Sequence, residues 1–285
     1  MTARHGVEME NSTRDRLVFS HANGFPAPVY RLMLDALREP FEVSSVARFG
    51  HDPHHPVTRG WPRLVDELEA HVQAHAAAGV RTWLVGHSLG GYLSLLLAHR
   101  MRERIAGIVL LDSPLIEGFS ARLVKLGRCT GLDRHLLPLE QTLQRRTRWP
   151  DIDAVHAHYA GKPAFARWDP RVLRDYAELG TAAVGNGERE LLFDREVEHR
   201  IYRTLPTASV AAIARQLPMP VAFVGGKHSA EVRRVGVRAT RRLVGERIAW
   251  LDGGHLFPME QPIATAETVW ALIRAMSLPA ATCAA

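Results

Sequence analysis

Short apolar runs alternate with stretches whose apolar positions recur every three or four residues, and the alternation fixes most of the predicted elements. Leu17–Ser20, Phe41–Phe49, Arg81–Val85 and Ile105–Leu111 predict strands, as do Val221–Val224 and Ile248–Leu251 further on. Between them, Val29–Arg38 and a segment opened by Pro62 predict helices, the second with Leu64, Val65, Leu68 and Val72 on one face. Proline at a first helical position loses no hydrogen bond, because that amide has no partner within the helix. The segment after Ser88 is apolar nearly all round through Tyr92, Leu93, Leu95, Leu96 and Leu97, which predicts a buried helix. A last amphipathic helix is expected over Ile263–Met276. Strands alternating with helices imply an α/β fold, a mostly parallel sheet wrapped by helices, with its ligand crevice at the carboxyl ends of the strands.

The alternation stops after Leu111 and resumes only at Val221. Within the gap, Asp169-Pro170 marks a helix start ahead of Val172, Leu173, Tyr176 and Leu179. Thr207 is expected to cap another helix, carrying Val210, Ile213 and Leu217. The chain therefore divides into a first core segment, residues 1–114, a helical insert, 115–217, and a second core segment, 218–285. After Val224, helical spacing aligns Arg234, Arg238, Arg241 and Arg242 opposite Val232, Val235, Ala239 and Leu243, which reads as one helix with a solvated basic face.

Composition narrows the function. With 46% apolar and 23% charged residues the chain is globular, not disordered. No apolar run approaches the roughly 18 residues that span a bilayer, and the first residues mix both charge signs, so a soluble, cytoplasmic protein without membrane association is expected. The net charge of +6 is carried by arginines interspersed with acids, with only Lys125, Lys162 and Lys227 as lysines, so no nucleic-acid partner is expected. Two cysteines, Cys129 and Cys283, supply neither a disulfide framework nor a thiolate metal site.

Gly86-His87-Ser88-Leu89-Gly90 fits G-x-S-x-G, and it falls between a predicted strand and a predicted helix, where a nucleophile elbow sits. Glycines flanking Ser88 let the chain turn sharply enough to expose its hydroxyl, while the amide of Leu89 points at the same space. A serine hydroxyl is a poor nucleophile without a base. His255, in Gly253-Gly254-His255-Leu256 directly after the last predicted strand, is placed to supply it.

On these motifs the chain resembles the α/β-hydrolase superfamily, in the capped branch shared by esterases, carbon-carbon bond hydrolases, epoxide hydrolases and haloalkane dehalogenases. The likeness covers about Leu17 to Asp112 and Pro218 to Met276. Serine at the elbow, where epoxide and halide chemistries use aspartate, implies acyl transfer to Ser88. The expected activity is hydrolysis of a small-molecule acyl substrate, a carboxylic ester first and a thioester or carbon-carbon bond next, without a cofactor. A ligand-binding protein on the same scaffold is the rival from another class. His21 to Pro26 resembles the family's oxyanion loop lengthened by two residues, which makes the amides of Phe25 and Leu89 the expected donors and Asn23 the rival to Phe25. The position where most members carry the orienting acid holds Ser229 here. Asp112, at the end of the strand after the nucleophile helix, is the location some relatives use, and Glu231 is the second candidate. His51-Asp52-Pro53-His54-His55 is dense in metal-binding side chains but matches no hydrolytic zinc spacing, so no metal is expected.

Overall fold

The structure, a computed structural model, describes residues 14–117, 139–206 and 208–278. Lys125, Cys129, Thr207 and Cys283 lie outside the described residues. The amino-terminal part of the core runs β1 (Arg16–Ser20), α1 (Arg31–Leu37), β2 (Glu42–Ser45), α2 (Pro62–Ala74), β3 (Thr82–His87), α3 (Leu89–Arg100) and β4 (Ile105–Leu111). The core resumes with β8 (Val221–Gly226), α9 (Ala230–Val235), α10 (Arg238–Val244), β9 (Ile248–Leu251), α11 (Phe257–Glu260) and α12 (Pro262–Ser277).

These strands form one sheet in the order β2-β1-β3-β4-β8-β9, and every neighbouring pair is parallel. β3, β4 and β8 are buried on both faces, which is why they read as continuous apolar runs. On one face Leu17, Phe19, Val85, Val109 and Val224 pack with α1 and α12; on the other Val18, Leu84, Ile108 and Phe223 pack with α2 and α3. α3 contributes Leu93, Leu95 and Leu97 to that second core, all fully buried, in keeping with its lack of a polar face. The β3 and β4 carboxyl ends deliver Ser88 and Asp112 to one edge of the sheet, and β9 leads to His255 beside them.

Between β4 and β8 lie α4 (Leu139–Leu143), β5 (Arg148–Trp149), α5 (Ile152–Ala160), α6 (Pro170–Leu179), β6 (Thr181–Ala183), β7 (Arg189–Leu191), α7 (Arg195–Arg203) and α8 (Ala208–Ala214). Asp169 caps α6 by accepting from the Arg171 amide, as its sequence context predicts. The insert is not purely helical, however: β5, β7 and β6 form a small antiparallel sheet. Strands of two or three residues are too short to show alternation. Their turn is the visible signal, Asn186-Gly187, with φ of 65° and 81°. The basic helix after β8 is likewise two helices, because Gly236 takes φ 78° between α9 and α10. Arg242 then pairs with Glu117 at 2.6 Å.

Candidate active site

Ser88 sits between β3 and α3 with φ 54° and ψ −112°, a conformation that costs a non-glycine residue on the order of 1 to 3 kcal/mol. Its neighbours make that turn possible. A Cβ on Gly86 would lie 2.3 Å from the Gly90 carbonyl oxygen, and one on Gly90 would lie 1.9 Å from the Ser20 carbonyl oxygen. Only glycine fits at either place, so the elbow can press against the end of β1. The Ser88 amide donates to the Leu111 carbonyl at 3.0 Å, tying the elbow to β4.

His255 Nε2 lies 3.1 Å from Ser88 Oγ, and its Nδ1 lies 2.7 Å from Asp112 Oδ2. Asp112 is 1% exposed and adopts φ 45°, in the left-handed region that Asp tolerates better than most residues. Its carboxylate also accepts from the Gly226 amide at 2.8 Å and from the Ser229 hydroxyl at 2.6 Å. Ser229 therefore donates to the Asp112 carboxylate that arrives from β4. Glu231 Oε2 stands farther from His255 Nδ1, at 3.8 Å, and its side chain is 45% exposed. Burial opposes a charged His255 ring, but the hydrogen bond and charge of Asp112, with Glu231 behind it, outweigh that and raise its pKa above the ordinary value.

Three residues that the sequence reading passed over hold this line in place. His87 is fully buried, and burial followed by the nearby His255 charge keeps its pKa well below the ordinary value, so the ring is neutral. Its Nε2 lies 2.9 Å from the His255 carbonyl, which can only accept, so Nε2 carries the proton. Nδ1 then accepts from Tyr30 Oη at 2.7 Å, and Tyr30 in turn accepts from the Ala22 amide at 3.1 Å. One chain of hydrogen bonds thus joins the loop after β1, the Ser88 turn and the His255 loop. Glu260 fixes the His255 loop from the other side by accepting from the Gly254 amide at 3.0 Å. Nothing in apolar periodicity marks such residues, though the pairing of His87 with Ser88 inside the elbow motif was on view.

The loop after β1 folds differently from the expectation for Phe25. Its amide donates to the Ala22 carbonyl at 3.1 Å, closing a turn whose third residue, Gly24, has φ 82°. The Asn23 side chain is engaged by the insert, donating to the Glu198 carbonyl at 3.0 Å. The Asn23 main-chain amide engages no acceptor among the described residues. Leu89, the first residue of α3, has an amide with no intrahelical acceptor in reach.

Above this loop the insert brings aromatic and charged side chains together. Phe25 stacks near Trp168 and Tyr176, both rings centred 5.8 Å away, and Tyr159 and Phe165 extend the cluster. Most of these rings are buried in the insert's own packing. Arg145 pairs with Glu198 and donates to Tyr176 Oη at 2.5 Å, next to Gly24.

The histidine tract holds no comparable cluster. Both ring nitrogens of His51 are engaged, Nδ1 with the Phe49 carbonyl and Nε2 with the Asp194 amide. Among the described residues, the group of side chains close enough to share a metal ion is Asp112, Glu231 and His255. No helix among the described residues is long and apolar enough to cross a membrane.

Solved structures with the same fold include E-2-(acetamidomethylene)succinate hydrolase, with a TM-score of 0.72 and 21% identity over 92% of this chain and 91% of that one. A thioesterase domain from the curacin biosynthetic pathway aligns with a TM-score of 0.68 and 16% identity over 90% and 91% of the two chains. An esterase from Mycobacterium tuberculosis aligns with a TM-score of 0.65 and 20% identity over 92% and 85%. No curated protein matches the chain significantly. The sequence model described as the alpha/beta hydrolase family matches residues 17–268, nearly the whole of the described core and insert. The chain is therefore a member of the alpha/beta hydrolase family.

Proposed function

We propose that this hydrolase cleaves a small or medium carboxylic ester through an acyl-enzyme on Ser88. The observation that carries the reading is the unbroken line from Asp112 Oδ2 through His255 to Ser88 Oγ, at 2.7 and 3.1 Å. His255 Nε2 takes the hydroxyl proton as Ser88 Oγ attacks the ester carbonyl, and Asp112 stabilises the imidazolium and holds the ring with its proton on Nδ1. The resulting oxyanion is held by the amide of Leu89 and, because the Phe25 amide is taken up by the turn, by that of Asn23. Collapse expels the alcohol, which leaves with the proton from His255. Water, deprotonated by the same nitrogen, then releases the acid and restores the serine.

A thioester would be cleaved by the same steps, and the likeness to a thioesterase domain is the reason to include one in the first assay. The partner in this reading is the small acyl substrate alone. The test is labelling by a fluorophosphonate together with a screen of p-nitrophenyl esters and acyl thioesters of graded chain length. Wild-type protein should label and turn over, while Ser88→Ala and His255→Ala should lose hydrolysis. Folded wild-type protein that neither labels nor hydrolyses any acyl donor would make the chain a ligand-binding protein on a hydrolase scaffold.

A further inference from the structure

The far side of His255 carries one more carboxylate than the proposed acyl transfer uses. Asp112 Oδ2 is 2.7 Å from Nδ1 and Glu231 Oε2 is 3.8 Å from it. Ser229 Oγ lies 2.6 Å from the first and 3.4 Å from the second. A hydroxyl has one proton to donate, and the shorter contact takes it, so the Glu231 carboxylate is left facing a second carboxylate. Among the described residues its ion-pair partner is the His255 ring.

One imidazole nitrogen and two carboxylate oxygens, all within 4.8 Å of one another, are a donor set that suits zinc and its neighbours and serves magnesium or calcium poorly. Tetrahedral coordination at about 2.0 to 2.1 Å places donors about 3.3 Å apart. The Asp112 contact would open from 2.7 Å and the Glu231 contact would close from 3.8 Å, each by roughly half an ångström, with the movement falling to the His255 ring and the exposed Glu231 side chain. Glu231 is the exposed member of the three and gives an ion a way in, whereas the Asp112 side chain is fully enclosed and held by Gly226 and Ser229.

We propose that Asp112, Glu231 and His255 Nδ1 form a reversible inhibitory site for a divalent transition metal such as Zn²⁺. The inference rests on the reading of His255 as the base. A metal bonded to Nδ1 takes the lone pair left when that nitrogen gives up its proton, and the neutral ring then carries its one proton on Nε2. No net proton is released, but an Nε2–H cannot accept the proton of Ser88. The ion thus silences the nucleophile without touching it, from the opposite edge of the ring.

Zinc chloride should slow both p-nitrophenyl ester hydrolysis and fluorophosphonate labelling of Ser88, EDTA should restore both, and magnesium chloride at equal ionic strength should do neither. Measured against its own metal-free rate, Glu231→Gln should raise the half-inhibiting zinc concentration at least about tenfold, the loss that even an outer partner of a metal-bound group causes. Calorimetric titration of zinc into Ser88→Ala protein, with and without Glu231→Gln, reads the site without turnover and so separates a failed ester reading from a failed metal site. Equal zinc sensitivity in wild type and Glu231→Gln, or equal zinc binding with and without Glu231, would overturn the proposal.

Discussion

Asp112 and Glu231 show how one ångström separates two carboxylates that the sequence left as alternatives. Asp112 meets His255 Nδ1 at hydrogen-bond distance and is itself held by two donors, whereas Glu231 stands at 3.8 Å and is half in solvent. A screened, exposed carboxylate contributes little to an imidazolium compared with a buried one in direct contact. Asp112→Asn should therefore lower kcat/KM by about 10³ to 10⁴ with the fold intact, and Glu231→Gln should change it little in metal-free buffer. The reverse ranking in steady-state kinetics would move the acid to Glu231. The same contacts set the pH dependence. A base must be unprotonated to act, and Asp112 raises the folded pKa of His255, so kcat/KM should fall as pH drops through a value above the ordinary histidine pKa of about 6.5. In Asp112→Asn the acid limb of that profile should move downward. For stability the sign is opposite: the preference for the charged ring is fully present below the unfolded pKa and is lost as pH rises through the folded one.

Elements with a strong period were legible, and those set by tertiary contact were not. All six strands of the large sheet and the helices after Pro62 and Ser88 carry runs or stripes long enough to read, although β2 is only Glu42–Ser45 where Phe41–Phe49 was expected. The small sheet of the insert escaped because its strands are shorter than one alternation. The loop after β1 escaped for a different reason: which amide a turn consumes depends on its closure, and Phe25 rather than Asn23 donates to Ala22. That assignment can be tested within the element. Proline suits the second position of such a turn and removes the amide together with the side-chain bond to Glu198, so Asn23→Pro should fold and lose about 10²- to 10³-fold in kcat. Asn23→Ala keeps the amide while losing the side-chain bond to Glu198, and it should stay within a few fold of wild type. Equal losses in the two variants would return the oxyanion to another donor.

At the scale of the molecule, the strand pair that builds the site is separated by the whole insert. β4 and β8 are neighbours in the sheet, and the Asp112 carboxylate reaches the Gly226 amide 114 residues away along the chain and the Ser229 hydroxyl 117 away. Closing a loop of that length costs about 4 kcal/mol of chain entropy before any contact repays it. Contacts of high sequence separation slow folding, so this seam should close late. The consequence is temporal: on dilution from denaturant, secondary structure should return before Ser88 regains its reactivity toward a fluorophosphonate, and circular dichroism and labelling followed in parallel would expose the lag. Coincident recovery would mean that the two halves of the sheet meet early. A nascent chain that has already built β1 through β4, with the elbow formed and Ser88 in place, would then still be inert until β8 and β9 emerge from the ribosome and join it.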